Sequence, residues 1–260
     1  MKYRGGVRPK KSLGQHFLID HSVTMRIIGA LELPEDVCKV LEIGPGMGVL
    51  TQHLSEDSSL ELHAVELDAE SVVYLRQHYP ELGSRLIEGD FLQLHEDRLP
   101  AGSFGLIGNF PYNISTQILF RVLDLKDRIP VVVGMFQKEV AERIASPPGN
   151  RDYGILSVLL QPWYDIEYLF TVNEECFNPP PRVKSGVLRM KRNAHTSLRC
   201  SEAAFKRVVK QGFSQRRKTL RNALKPLLPS ESAGIPYLDL RAEALTWQQF
   251  EELTVLLIKE

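Results

Sequence analysis

Cysteine is scarce: Cys38, Cys176 and Cys200 are the only three in 260 residues. They lie far apart, with no Cys-x-x-Cys pair and no Cys/His spacing of a zinc site. Neither a disulfide framework nor a structural metal is expected; reduced thiols in a cytoplasmic protein are. No run of about 18 apolar residues occurs, so there is no candidate membrane span. The N-terminus, MKYRGGVRPKKSLG, is basic but lacks the apolar stretch and small-residue cleavage site of a secretory signal. Repeats and low-complexity tracts are missing, and so is net charge, with 32 Lys+Arg against 32 Asp+Glu.

That zero conceals segregation. From Arg182 to Lys225, fourteen Lys and Arg face a single acid, Glu202, and the first eleven residues add five cations and no anion. Between Glu32 and Asp97 acids predominate. One block of like charge is commonly a solvated helix face, but two basic blocks in one chain point to nucleic acid. Arg216, Arg217 and Lys218, with Arg221 close behind, form the densest cluster and are the candidate RNA contacts. The first eleven residues, basic and poor in apolar surface, are expected to be mobile until RNA or cofactor orders them.

Short apolar runs alternate with amphipathic stretches from residue 37. VLEI (40–43), LHAVEL (62–67), RLIEG (85–89), FGLIGN (104–109) and VVVGMF (131–136) predict strands. LTQHLSE, AESVVYLRQHY and STQILFRVLDL between them have helical spacing. Strands separated by helices imply an α/β fold with a mostly parallel sheet. Residues 154–172 begin helix-like and end strand-like, without a clear dividing point. FNPPPRVKSG (177–186) is a rigid extended connector, VLRMK is a last strand, and the chain from Ser201 is helical. A domain boundary falls near residue 193.

EIGPGMG follows the first strand and opens the first helix, and Gly44, Gly46 and Gly48 allow a sharp turn and close approach of a ligand. By itself such a loop is a weak signal. Glu66, about 20 residues on at the end of the second strand, is placed to accept from ribose hydroxyls. A dinucleotide-binding GxGxxG is not present, since position 49 is Val, and Glu42 would repel a pyrophosphate. Asp90 ends the third strand, where it can accept from an adenine amine. Three carboxylates at adjacent strand ends suit a cationic adenosine derivative, S-adenosylmethionine. Asp68 and Glu70 are read as ordinary surface acids.

GNFPYN (108–113) delivers an Asn side chain, carbonyls at Phe110 and Pro111, and the Tyr112 ring to the same edge. The amine of adenine is a poor nucleophile because its lone pair is delocalised into the ring. Two acceptors, Asn109 and a backbone carbonyl, can hold its N–H bonds while Tyr112 stacks on a base taken out of its helix. Positioning and pre-aimed acceptors then carry the reaction, with no metal and no covalent intermediate.

NFPY resembles the Asn-x-Pro-Tyr signature of adenine-N6 methyltransferases. The whole chain resembles the bacterial small-subunit ribosomal RNA adenine dimethyltransferase family through KKSLGQHFLID, EIGPGMGVLT, VELD, GNFPYNIST, QKEVAERI, YGILSV, FNPPPRVKSGVLRM and FSQRRKTLRNAL, which appear in order over nearly the full length. The resemblance implies a Rossmann-like methyltransferase domain over 1–192 and a small all-helical RNA-binding domain over 193–260. It implies S-adenosylmethionine contacts from His16, Leu18, Gly44, Glu66, Asp90 and Asn109, and catalysis by Asn109, Pro111 and Tyr112, with Phe177 on the other face of the base. The implied reaction dimethylates N6 of two adjacent adenosines in the 3′-terminal hairpin of small-subunit rRNA within an immature 30S particle. The family usually has Asn at position 16 and Leu at 110; Phe110 is expected to pack inward. Two alternatives remain: a large-subunit rRNA methyltransferase of the macrolide-resistance type, disfavoured by FSQRRKTLRNAL, and a non-catalytic RNA-binding assembly factor, disfavoured by the intact clamp. A Rossmann oxidoreductase explains neither the clamp nor the basic segment.

Overall fold

The structure, a computed structural model, describes residues 6–10 and 13–258. In chain order its regular elements begin with β1 (Phe17–Leu18), α1 (His21–Gly29), β2 (Lys39–Ile43), α2 (Thr51–Glu56), β3 (Glu61–Glu66), α3 (Ala69–His78) and β4 (Leu86–Glu88). Then come β5 (Gly105–Asn109), α4 (Ser115–Asp124), β6 (Val131–Gln137), α5 (Lys138–Ala145), α6 (Ile155–Leu160), β7 (Tyr164–Val172), β8 (Phe177–Asn178) and β9 (Ser185–Arg192). The helices α7 (Glu202–Gly212), α8 (Leu220–Ala223) and α9 (Trp247–Leu257) follow. Residues divide into two units, one taking the chain up to Ala141 with Glu167–Arg192, the other Glu142–Ile166 with the chain from Asn193. Residues 142–166, placed by sequence in the 1–192 domain, group with the C-terminal helices.

In the first unit the sheet has the order β4-β3-β2-β5-β6-β9-β7. Strands β4, β3, β2, β5 and β6 run parallel, and β9 lies antiparallel to β6. Residues 131–136 of β6 are all buried, which explains the continuous apolar run VVVGMF: a strand covered on both faces cannot alternate. The carboxyl ends of β2, β3, β4 and β5 therefore bring the glycine loop, Glu66, Asp90 and Asn109 to one edge of the sheet, where ligands of open α/β sheets bind.

A glycine pair seats the clamp. Gly108 and Gly134 face each other on β5 and β6. A Cβ on either would come within 2.8 Å or less of the Phe110 ring. Their missing side chains make the hollow that Phe110 fills, buried and edge-on to Phe136 at 5.2 Å and 80°. Phe110 does pack inward, and the residues around it are directed outward as a result.

One open reading is resolved and two expectations need correction. Residues 154–172 divide into α6 and β7 at a short turn. Asp68 is not a surface acid: it is buried, caps α3 by accepting from Ser71 N–H at 3.3 Å, and pairs with Lys10. Burial alone would push its carboxyl up, but bonds from Lys10 and Ser71 bring it below the ordinary range. Glu70 is exposed, 3.4 Å from Lys10. The expectation of a mobile N-terminus lies partly outside the described residues; within them, Val7 is buried and Lys10 is ion-paired.

The second unit is built on the amphipathic stretches read from sequence. Ser201 caps α7 by accepting from Ala204 N–H, and Thr246 and Gln249 cap α9 reciprocally. Phe213 stacks on Phe250 at 5.8 Å and tilts toward Tyr153 at 6.4 Å. Glu251, buried, accepts from the Arg199 backbone at 2.7 Å and from its guanidinium at 2.8 Å. Among the described residues no helix is long and apolar enough to cross a membrane, and no group of three His, Cys, Asp or Glu could hold a metal.

Candidate active site

A cavity of about 390 Å³ opens at the carboxyl ends of β2, β3 and β5. Its floor is the glycine loop. Gly44, Gly46 and Gly48 all have positive φ, at 66°, 58° and 80°. A Cβ on Gly46 would fall 2.9 Å from the Phe17 ring, and one on Gly48 2.4 Å from Tyr79. Gly44 has Pro111 at 3.9 Å as its nearest neighbour and leaves its backbone open to the cavity.

Glu66 is buried at the rim and takes two backbone donors, Gly46 N–H and Asp68 N–H, each at 2.9 Å. The carboxylate therefore fixes the loop as well as facing the cavity. Burial raises its pKa, and the two amides oppose that rise. Each oxygen keeps lone-pair capacity for a ligand donor. Glu42 lies deeper. Thr51 Oγ1 donates to it at 2.6 Å, and burial, with the nearby Glu66 charge, raises its pKa to about 8. Asp90 accepts from Leu92 N–H at 2.9 Å and from Gln93 at 3.2 Å, which orients its carboxylate on the cavity wall.

On the other side stands the clamp. Asn109 Nδ2 donates to the His16 carbonyl at 2.9 Å, which leaves Oδ1 as an acceptor. The Pro111 carbonyl accepts from Ile114 N–H at 3.1 Å and has a second lone pair. Tyr112 stacks on His16 with ring centres 5.8 Å apart and planes 29° apart, and its hydroxyl lies 2.6 Å from Ser185 Oγ. Burial raises the phenol pKa, against the effect of the Ser185 bond.

The N-terminal segment is a strap across this edge. Phe17 and Leu18 pair antiparallel with Asn178 and Phe177, and His16 Nδ1 donates to the Pro179 carbonyl at 2.8 Å. His16 is thus tied to backbone through Nδ1, and its ring faces Tyr112. His16, Leu18, Gly44, Glu66, Asp90, Asn109, Pro111 and Tyr112 all line the one cavity. Phe177 does not: it is 2% exposed and sits in the core among Leu18, Val23 and Val187. Its expected contact with a base is not available in this conformation.

The four candidate RNA contacts, all in the second unit, are all exposed. Arg216 donates to the carbonyls of Arg151 at 2.6 Å and Tyr153 at 3.1 Å, and Arg221 chelates Asp239 through Nε at 3.0 Å and Nη2 at 2.9 Å. Two of the four therefore also serve the unit's own structure. Sequence reasoning missed Ser185 and Thr51, whose residue type carries no signal; only the register of β9 and the first turn of α2 bring them to the site.

The family model described as ribosomal RNA adenine dimethylase matches residues 6–253. A protein of Parabacteroides distasonis named ribosomal RNA small subunit methyltransferase A is 57% identical over 96% of this chain and 94% of its own length. One of the same name from Cytophaga hutchinsonii is 55% identical over 96% and 98%. Among solved structures, a dimethyladenosine transferase from Plasmodium falciparum shares the fold, with a TM-score of 0.77 at 23% identity over 92% of this chain and 96% of that one. The 23S rRNA methyltransferase ErmE matches with a TM-score of 0.66 at 25% identity over 92% and 99%. With its parallel sheet, glycine loop and Asn-Phe-Pro-Tyr edge matched over nearly the full length, the chain belongs to the ribosomal RNA adenine dimethylase family.

Proposed function

We propose that the protein uses S-adenosylmethionine to dimethylate N6 of two adjacent adenosines in the 3′-terminal hairpin of small-subunit rRNA, acting on immature small subunits. The carrying observation is the orientation of Asn109: its amide nitrogen is committed to the His16 carbonyl, so its oxygen is the acceptor presented to the cavity. The donor set fits the cofactor. A glycine cradle with positive φ would admit its backbone, and Glu66 and Asp90, both lining the cavity, would accept from its ribose hydroxyls and adenine amine.

S-adenosylmethionine supplies a methyl group on a positively charged sulfur. Asn109 Oδ1 and the Pro111 carbonyl accept the N–H bonds of the target amine and favour a pyramidal nitrogen; Tyr112 stacks on the ring. With the lone pair so directed, the N–C bond would form as the C–S bond of the bound donor breaks with its pair kept on sulfur, and the amine proton would pass to water. Neither acceptor must remove that proton before attack, so a second transfer can use the same geometry. Phe177 covers the second face of the base only if the 177–183 segment shifts on RNA binding.

Arg217 and Lys218 supply phosphate contacts, as shape-directed recognition of an RNA hairpin requires. The names of the relatives favour the small subunit over the large-subunit specificity in the name of ErmE. Mass spectrometry of rRNA from cells lacking the gene, and from the complemented strain, tests the proposal. Loss and restoration of dimethyladenosine in small-subunit rRNA is the expected result; persistence without the gene, or its appearance in large-subunit rRNA, overturns it.

A further inference from the structure

The Tyr112 hydroxyl meets Ser185 Oγ at 2.6 Å, across 73 residues of sequence. Ser185 is fully buried and opens β9, where its backbone pairs with Gln137 of β6. The main chain on both sides is fixed. Lys138 N–H donates to the Lys184 carbonyl at 2.9 Å, and a Cβ on Gly186 would fall 2.8 Å from both Ala141 and Tyr168. Ser185 is therefore a rigid post set in the sheet, whereas Tyr112 stands on a turn between β5 and α4. A phenol held at both its backbone and its hydroxyl cannot swing; released at the hydroxyl, it regains freedom at χ1 and χ2, with the stacked His16 ring on one face.

We propose that Ser185 is a positioning residue for the second methyl transfer: by fixing the plane of Tyr112 it aligns N6-methyladenine and so sets the proportion of dimethylated product. The inference rests on the clamp reading given above. Unmodified adenine offers two N–H bonds to two acceptors, and those two bonds orient the amine. N6-methyladenine keeps one N–H, so one acceptor loses its partner and the stacked ring must supply the missing restraint. A loosened Tyr112 is then tolerated in the first transfer and not in the second. In both steps one N–C bond forms, one C–S bond breaks with its pair kept on sulfur, and one proton goes to water; after the second no N–H remains.

The test uses the full-length protein, S-adenosylmethionine and immature small subunits from cells lacking the gene, with mono- and dimethyladenosine followed by mass spectrometry over time. Ser185→Ala and Tyr112→Phe each remove the same bond. Each should slow the second transfer about tenfold, the effect of one hydrogen bond of ordinary net strength, and Ser185→Ala should leave the first within about twofold. The double variant should be no slower than either single one. Ser185→Cys, the nearest and slightly larger isostere, offers only a weak sulfur partner, so it should accumulate monomethyladenosine while the protein stays folded, as its melting curve checks. Equal slowing of both steps, additive effects in the double variant, or a wild-type product ratio for Ser185→Cys would overturn the inference. A wild-type protein that transfers no methyl group at all would overturn the proposed function together with it.

Discussion

Asn109 gives its amide nitrogen to the His16 carbonyl, 93 residues earlier in the chain, at 2.9 Å. The side-chain oxygen proposed as the acceptor is thus aimed by the N-terminal strap. Asn109→Ala removes an acceptor that needs no reorganisation during reaction, and kcat should fall on the order of 10²–10³-fold. Steady-state methyl transfer to immature small subunits measures it; a loss confined to KM would show that Asn109 only binds.

Glu66 both faces the cavity and ties Gly46 and Asp68. Glu66→Ala should weaken S-adenosylmethionine binding by about 1.5–3 kcal/mol, the range for a charged hydrogen bond. Because two loop amides lose their acceptor, the cofactor-free protein should also melt at a lower temperature. Calorimetric titration and thermal unfolding separate the two; an unchanged dissociation constant would move the ribose contact elsewhere.

Phe177 distinguishes core from site. As a side chain 2% exposed in the core, its replacement by Ala should cost about 3–5 kcal/mol of stability. Denaturant unfolding checks this. A loss below about 1 kcal/mol accompanied by a collapse of kcat would return Phe177 to the base.

Glu42 carries a pH dependence. Its carboxyl has an ordinary pKa of 4.5 and is raised to about 8 by burial. Between those values the folded protein holds a proton that the unfolded chain has lost. The associated stability is full below 4.5 and disappears as pH rises through about 8. The melting temperature of the cofactor-free protein should therefore decline across that window, and Glu42→Gln should flatten the decline while retaining an acceptor for Thr51. Parallel profiles for the two proteins would refute the assignment.

Arg217 and Lys218 should be separable from Arg216. Replacing the first two with Ala should reduce the salt dependence of RNA binding by about 0.7–0.9 for each phosphate no longer neutralised, and leave stability and cofactor affinity intact. Arg216→Ala should in addition lower the melting temperature, because two carbonyls in the 151–153 segment lose their donor. Filter binding over a salt series, with melting curves, tells them apart.

Much of the fold was legible because periodicity reports burial directly. β6 reads as an unbroken apolar run because both its faces are covered, and α9 announces its start through Thr246 and Gln249. The site was legible where residue type and strand-end position coincide, as at Glu66, Asp90 and Asn109. It was not legible where function depends on register between distant segments. Ser185 reaches Tyr112 only because β9 pairs antiparallel with β6, and Asp68 meets its cation only because Lys10, 58 residues earlier, returns to it. Phe177 shows the converse: its position beside the prolines was clear, but not the side of β8 on which its ring lies.

The pairing of Phe17 with Asn178 also has a consequence for biosynthesis. At ordinary translation rates of roughly 5–20 residues per second, β1 leaves the peptidyl-transferase centre on the order of ten seconds before its partner exists. During that interval the parallel strands up to β6 can assemble while the wall formed by the strap has nothing to close against. A nascent chain that stops short of β8 therefore has a floor and a clamp but no fastening for His16. Methyl-donor affinity should appear in one late step of synthesis, after most of the sheet is already in place.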